Sequence, residues 1–139
     1  RQFGADETIK ATENVPEKVK DIHGRGADIV IVCTGAASAS EQAFQAVDRG
    51  GTILFFAVPP PDKTVTIPLN DLWKNEVKVL TTYGGPPQDM HTALELIRRG
   101  NVDVEEMITN RLPLEKIQEG FHIMSEGKES LKVIIQPHG

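Results

Sequence analysis

The run Ala27-Asp28-Ile29-Val30-Ile31-Val32-Cys33, followed at once by Thr34-Gly35-Ala36, decides the fold class. It is apolar almost without interruption and rich in β-branched side chains, the texture of a parallel strand covered on both faces. A central strand is expected here. Upstream, Val15, Val19 and Ile22 fall at i, i+4 and i+7, Pro16 suits a first helical turn and Gly24 the residue past the end. Downstream, Ser38 and Glu41 have the S-x-x-E spacing of a capping box, so a second helix is expected from there to Gly50. The stretch Thr52-Ile53-Leu54-Phe55-Phe56-Ala57-Val58 reads as another buried strand, stopped by Pro59-Pro60-Pro61, which cannot donate to a ladder. Helices alternating with buried strands indicate an α/β fold with a parallel sheet.

The pattern extends in both directions. Thr8-Ile9 allows a minor strand. Val65 and Ile67 alternate with Thr64 and Thr66, Leu69, Leu72 and Trp73 suggest a short helical turn, and Val77-Lys78-Val79 opens a strand that ends at Tyr83-Gly84-Gly85. Beyond Pro86-Pro87, Met90, Ala93, Leu94 and Ile97 mark a helix closed by Gly100. Leu114, Ile117, Phe121 and Met124 repeat that pattern up to Gly127. Both stripes are expected to be packing faces. Ser130-Leu131-Lys132-Val133-Ile134-Ile135 is the last strand, and Pro137-His138-Gly139 a frayed end.

Composition bounds the function. The 139 residues, 39% hydrophobic and 25% charged, suit an ordinary globular protein and first suggest one domain. A net charge of −5 offers nothing to a polyanion, so nucleic acid is not an expected partner. No apolar run approaches the roughly 18 residues of a membrane span, and the first residues carry no signal-peptide pattern. Cys33 is the single cysteine and His23, His91, His122 and His138 are scattered, so neither a disulfide nor a metal-ligand spacing emerges and a reducing cytosol fits.

Most candidate chemistry is weak. Gly24-Arg25-Gly26 has two glycines of a dinucleotide fingerprint but precedes a strand, whereas a working fingerprint follows one; it reads as a helix stop. Ser38 and Ser40 lack a nucleophile elbow and read as capping residues. His91 and His122 read as surface residues, and Cys33 as a small core side chain. The ends of the three strands say more: Thr34-Gly35-Ala36, Ala57-Val58-Pro59 and Thr81-Thr82-Tyr83-Gly84-Gly85. Ligands in open α/β sheets bind beyond the strands' carboxyl ends, where free backbone groups can take a flat amide. Tight turns would look the same in sequence.

With these residues the sequence resembles the C-terminal portion of the medium-chain dehydrogenase/reductase superfamily, close to the zinc-containing alcohol, polyol and threonine dehydrogenases. The resemblance runs in order through Gly4-Ala5-Asp6, Gly26-Ala27-Asp28, Thr34-Gly35, Gly50-Gly51-Thr52, Val58-Pro59 and Gly84-Gly85. It continues through Ile108-Thr109-Asn110-Arg111-Leu112-Pro113-Leu114-Glu115-Lys116-Ile117 and Gly127 to Leu131-Lys132-Val133-Ile134. It implies NAD or NADP as cofactor. Thr34 and Gly35 then border the adenosine end, and Phe56 and Thr81 offer carbonyls to the carboxamide NH2. The Tyr83 N–H faces the carboxamide oxygen, Val58 packs near the nicotinamide, and Lys132 reaches the pyrophosphate.

The resemblance also implies a partial Rossmann-like, doubly wound parallel sheet of order 3-2-1-4-5-6 over residues 1–85, with strands 1 and 2 missing. Arg1-Gln2-Phe3 then corresponds to the end of the helix after strand 2. Residues 86–139 become a C-terminal helix and strand segment of the catalytic domain. Zinc is expected only in the missing N-terminal catalytic domain. The implied whole is a cytoplasmic dehydrogenase acting on a small alcohol or polyol, a dimer or tetramer, of which this chain is a fragment inactive alone. A zinc-free quinone or enoyl reductase of the same superfamily, or a non-catalytic dimerisation module, are the rival readings.

Overall fold

The computed structural model describes residues 3–127 and 130–137 of the chain. It divides into two compact units, Arg1–Gly84 and Gly85–Gly139. The first contains α1 (Val15–His23), β1 (Ala27–Val32), α2 (Ala37–Ala46), β2 (Val47–Phe55), α3 (Leu69–Lys74) and β3 (Lys78–Thr81). Its three strands form one parallel sheet in the order β1-β2-β3. The second contains α4 (Pro87–Arg98), β4 (Asn110–Pro113), α5 (Ile117–Glu126) and β5 (Val133–Gln136), with β4 and β5 paired in parallel. Among the described residues no helix is long and apolar enough to cross a membrane.

α1 forms as its sequence dictates. Asn14 Oδ1 accepts the Glu17 N–H at 3.3 Å, Pro16 occupies the first turn, and Gly24, at φ +72°, ends the helix in the left-handed region while donating to the Lys20 carbonyl. α2 departs from expectation. It starts at Ala37, with Ala36 as an N-cap that makes no side-chain bond. Ser38 is already inside the helix, so its hydroxyl cannot serve the cap position and the capping box does not form. Ser40 does not cap either: it is fully buried, its Oγ without a hydrogen-bond partner among the described residues.

α2 ends at Ala46 instead of Gly50, and the chain passes straight into β2. Ala27 pairs with Val47 and Ile29 with Thr52, so residues 48–51 bulge out between two paired positions. Gly50, at φ +69°, makes this turn and donates to the Asn75 carbonyl at 2.7 Å.

Residues opposite one another in the ladder share a face of the sheet. Val30, Val32, Ile53 and Phe55 face α2, where Val32, Ala43, Ile53 and Phe55 make the core and the Phe44 and Phe55 rings lie 5.9 Å apart. The other face carries Ile29 and Ile31, 67% and 55% exposed, with Leu80 beside them in the ladder. The expectation that 27–33 is a central strand covered twice is therefore corrected. Among the described residues β1 is an edge strand covered on one face, and β2 is central. Cys33, expected in the core, is exposed just past the end of β1.

Residues 8–9 form no strand. In the order 3-2-1-4-5-6 such a strand pairs with strand 2, and the described residues offer no such partner. Arg1 and Gln2, read as a helix end, and His138 and Gly139, read as frayed, lie outside the described residues.

In the second unit α5 rests on the strand pair through Gly120, where a Cβ would meet Ile135 Cδ1 at 3.2 Å and Val133 Cγ1 at 3.3 Å. The helix thus presents Gly120, not Phe121, to the strands, and Phe121 is 71% exposed. Met90 and Leu94 of α4 are exposed as well. Helical periodicity identified the apolar sides of both helices but not what covers them, and the expected packing faces are open within the described residues.

Candidate functional site

Because the first unit's strands are parallel, their carboxyl ends gather at one end of the sheet. Two sets of hydrogen bonds lift the chain off the ladder there. The Val32 carbonyl accepts the N–H groups of both Phe56 (3.0 Å) and Ala57 (2.9 Å), so β2 stops at Phe55 and not at Val58 as the apolar run suggests. The Phe55 carbonyl accepts the Thr82 N–H at 3.2 Å. Beyond these bonds, the Phe56 carbonyl and the Tyr83 N–H have no backbone partner among the described residues. Thr81 closes β3 opposite Phe55, on a strand with no neighbour at its other edge among the described residues.

Gly35 brings the exits of β1 and β2 together. A Cβ on Gly35 would lie 3.0 Å from the Val58 carbonyl oxygen and 3.8 Å from Pro59 Cα, so the approach depends on glycine's lack of a side chain. The chain then turns at Gly84, φ +68°, directly after Tyr83. Phe56, Val58 and Tyr83 expose their side chains. Residues 33–36, 56–59 and 81–85 include no charged residue. Free carbonyls and an N–H on a neutral surface suit a flat carboxamide, which offers two N–H donors and one oxygen acceptor.

Thr34, Gly35, Phe56, Val58, Thr81 and Tyr83 thus lie at one end of one sheet. Lys132 belongs to the second unit, exposed and immediately before β5. A separate concavity of about 710 Å³ is lined by Asn14, Glu17, Lys20, Glu41, Gln45 and Asp71 among others. It contains none of the strand-end residues and no buried ionisable group, and the strand ends remain the chemically stronger site.

A bidentate ion pair lies at the opposite end of β1 from the strand ends. Arg25 grips Asp28 with two nitrogens at 2.7 and 2.6 Å and reaches Asp48 at 3.4 Å. These hydrogen bonds, more than the charge itself, hold the Asp28 carboxyl below its ordinary value and the Arg25 guanidinium above its own.

The family model described as zinc-binding dehydrogenase matches residues 1–99. The chain belongs to the zinc-binding dehydrogenase family. It is 35% identical over 138 residues to an erythritol/L-threitol dehydrogenase of Mycolicibacterium smegmatis, covering 96% of this chain and 37% of that protein. It is 33% identical over 138 residues to an alcohol dehydrogenase of Geobacillus stearothermophilus, covering 98% and 39%. Among solved structures, a zinc-binding dehydrogenase of Sinorhizobium meliloti bound to NADP superposes with a TM-score of 0.84 at 26% identity, over 98% of this chain and 40% of that one. The α/β architecture is that of these dehydrogenases. The chain spans well under half the length of the relatives it matches.

Among the described residues no three His, Cys, Asp or Glu side chains stand close enough to hold a metal ion, so the residues present do not fit zinc and no step is assigned to it. The free backbone groups of Phe56 and Tyr83 and the Gly35 contact leave the strand ends open to a flat amide group. One contributor has no signal in the sequence: the Val32 carbonyl, a backbone atom, holds the Phe56 turn.

Proposed function

We propose that these residues form the nicotinamide side of a dinucleotide site in an alcohol or polyol oxidoreductase. Residues 1–85 are the later part of its NAD(P)-binding domain and 86–139 a C-terminal segment of its catalytic domain. The observation that carries the reading is that the Phe56 carbonyl and the Tyr83 N–H, just past the ends of the adjacent strands β2 and β3, both lack a backbone partner among the described residues. The carbonyls of Phe56 and Thr81 accept from the carboxamide nitrogen, and the Tyr83 N–H donates to its oxygen. Three directional bonds fix the plane of the ring and hence which face meets the substrate. Val58 packs against that ring, and Thr34 and Gly35 border the adenosine end.

When bound, the nicotinamide accepts or gives a hydride at C4. The chain's own contribution is orientation, through groups that need not move during the reaction. Zinc in this proposal is held by residues other than those described. A small alcohol or polyol is the substrate class, supported by the erythritol/L-threitol and alcohol dehydrogenase relatives. The cytoplasm as location rests on the lone Cys33, and a homo-oligomer on the apolar side chains along the outer edge near β3, including Trp73 and Val79.

The test uses the protein expressed from its complete coding sequence. Tyr83→Pro deletes the proposed N–H donor and is expected to weaken NADH binding about tenfold, the worth of one well-placed hydrogen bond at the upper end of its range. ADP-ribose, which lacks the carboxamide, is expected to bind unchanged. Equal NADH affinity in the two proteins overturns the reading.

A further inference from the structure

Tyr83 stands between a residue that is held and a residue that turns. Before it, the Thr82 N–H donates to the Phe55 carbonyl at 3.2 Å, which extends the contact of β3 with β2 by one step. After it, Gly84 has a φ of +68°, and of the described residues 78–87 it alone lies in the left-handed region. Neither the N–H nor the carbonyl of Tyr83 has a backbone partner among the described residues, and its side chain is exposed. The direction of the Tyr83 N–H is therefore set by the path between these two points. A Cβ on Gly84 would meet nothing within 4 Å. The position excludes no side chain by contact, and what it uses is glycine's freedom at positive φ. Gly35 is the opposite case, where the requirement is space.

We infer that Gly84 is the positioning residue for the Tyr83 N–H, holding the turn that aims this donor at the carboxamide oxygen. The inference rests on the proposed reading of Tyr83 as that donor. An ordinary L-residue is disfavoured at this φ because its Cβ crowds a carbonyl oxygen. The strain is relieved by rotating the least constrained neighbour. Thr82 is tied to the Phe55 carbonyl, so the rotation falls on Tyr83 and tilts its N–H away from the line to its acceptor. Hydrogen bonds weaken steeply as they bend. Asn is bulkier than Ala but enters the left-handed region more readily, so it keeps the turn where Ala does not.

The experiment measures NADH and ADP-ribose binding by the protein from its complete coding sequence, as wild type, Gly84→Ala, Gly84→Asn, Tyr83→Pro and the double variant Y83P/G84A. Gly84→Ala is expected to weaken NADH about fivefold, the left-handed penalty read as affinity, and to leave ADP-ribose, which has no carboxamide, unchanged. Gly84→Asn is expected to stay within about twofold of wild type for both ligands. The double variant is expected to bind NADH no more weakly than Tyr83→Pro, because the two residues act through one contact. A merely structural glycine would cost both ligands alike. A Gly84→Ala protein with wild-type NADH affinity, or with equal losses of NADH and ADP-ribose, overturns the inference and leaves the reading of Tyr83 standing. So does a Gly84→Asn protein as weak as Gly84→Ala, or losses that add in the double variant. A Tyr83→Pro protein with unchanged NADH affinity overturns the reading of Tyr83, and the inference with it. If Gly84→Ala does not fold, Gly84→Ser is compared with Gly84→Asn, and equal NADH affinity in the two overturns the inference.

Discussion

Gly35 and the Val58 carbonyl compete for the same space. Placing a methyl group 3.0 Å from that oxygen forces the exit of β2 to retreat by a few tenths of an ångström. Phe56 and Ala57 are tethered to the Val32 carbonyl, so the displacement falls on Val58 and Pro59. Gly35→Ala is therefore expected to lower stability by about 1 kcal/mol, the low end for overpacking, and to weaken NADH binding several-fold, read by thermal unfolding and NADH fluorescence. The pair of Arg25 and Asp28 makes a different residue-scale prediction. Its carboxyl is held below the ordinary value in the folded protein, so its contribution is present above the unfolded-state pKa and is lost as the pH falls through the folded one. Both side chains are well exposed, and the contribution is small and screened by salt. The expected result is a difference in melting temperature between wild type and Asp28→Asn that is present at pH 7, closes as the pH drops below about 4, and shrinks in high salt. A gap that widens on acidification contradicts the assignment.

Strands and helices show what could be read from sequence and what could not. α1 was legible because its signals are local: a capping Asn14, Pro16 in the first turn, Gly24 at its end. β1 was legible as a strand, but its surroundings were not, since an apolar run records how much burial a strand can use and not which neighbours are present. The same gap explains Cys33, Met90 and Phe121, all apolar residues on open surfaces. The end of α2 was missed because the 48–51 bulge is held by the Asn75 carbonyl, 25 residues from Gly50, and no local signal announces that bond. At the strand ends, the small and neutral residues were visible in sequence, whereas the bonds to the Val32 carbonyl that free Phe56 were not. The two faces of the sheet are directly comparable by mutation. Ile53 is fully buried against α2 and Ile31 is 55% exposed one pleat away. Ile53→Ala is expected to cost about 2–5 kcal/mol in denaturant unfolding, for lost transfer energy plus a cavity. Ile31→Ala is expected to change stability by less than about 1 kcal/mol, because little area returns to water.

At the scale of the molecule, the sheet of the first unit is half clothed. Doubly wound sheets carry helices on both faces, and an apolar face in water seeks a cover. Here α2 covers Val30, Val32, Ile53 and Phe55, while Ile29, Ile31 and Leu80 stand on the open side. Among the described residues no strand pairs with the outer edges of β1 and β3, which adds a template for further strand pairing. The chain covers 37–39% of the curated relatives, which leaves ample sequence in them to clothe such a face. The 139 residues expressed alone are therefore expected to self-associate, with a sedimentation coefficient that rises with protein concentration. Charge on the open face opposes this association by making the shared burial costly. Ile31→Lys combined with Leu80→Lys is expected to return the chain toward the monomer without lowering its melting temperature by more than a few degrees, since neither side chain belongs to the core. Ile53→Lys, on the covered face, is expected to unfold it. A wild-type chain that sediments as a concentration-independent monomer and unfolds cooperatively contradicts this account, because the open face would then need no partner.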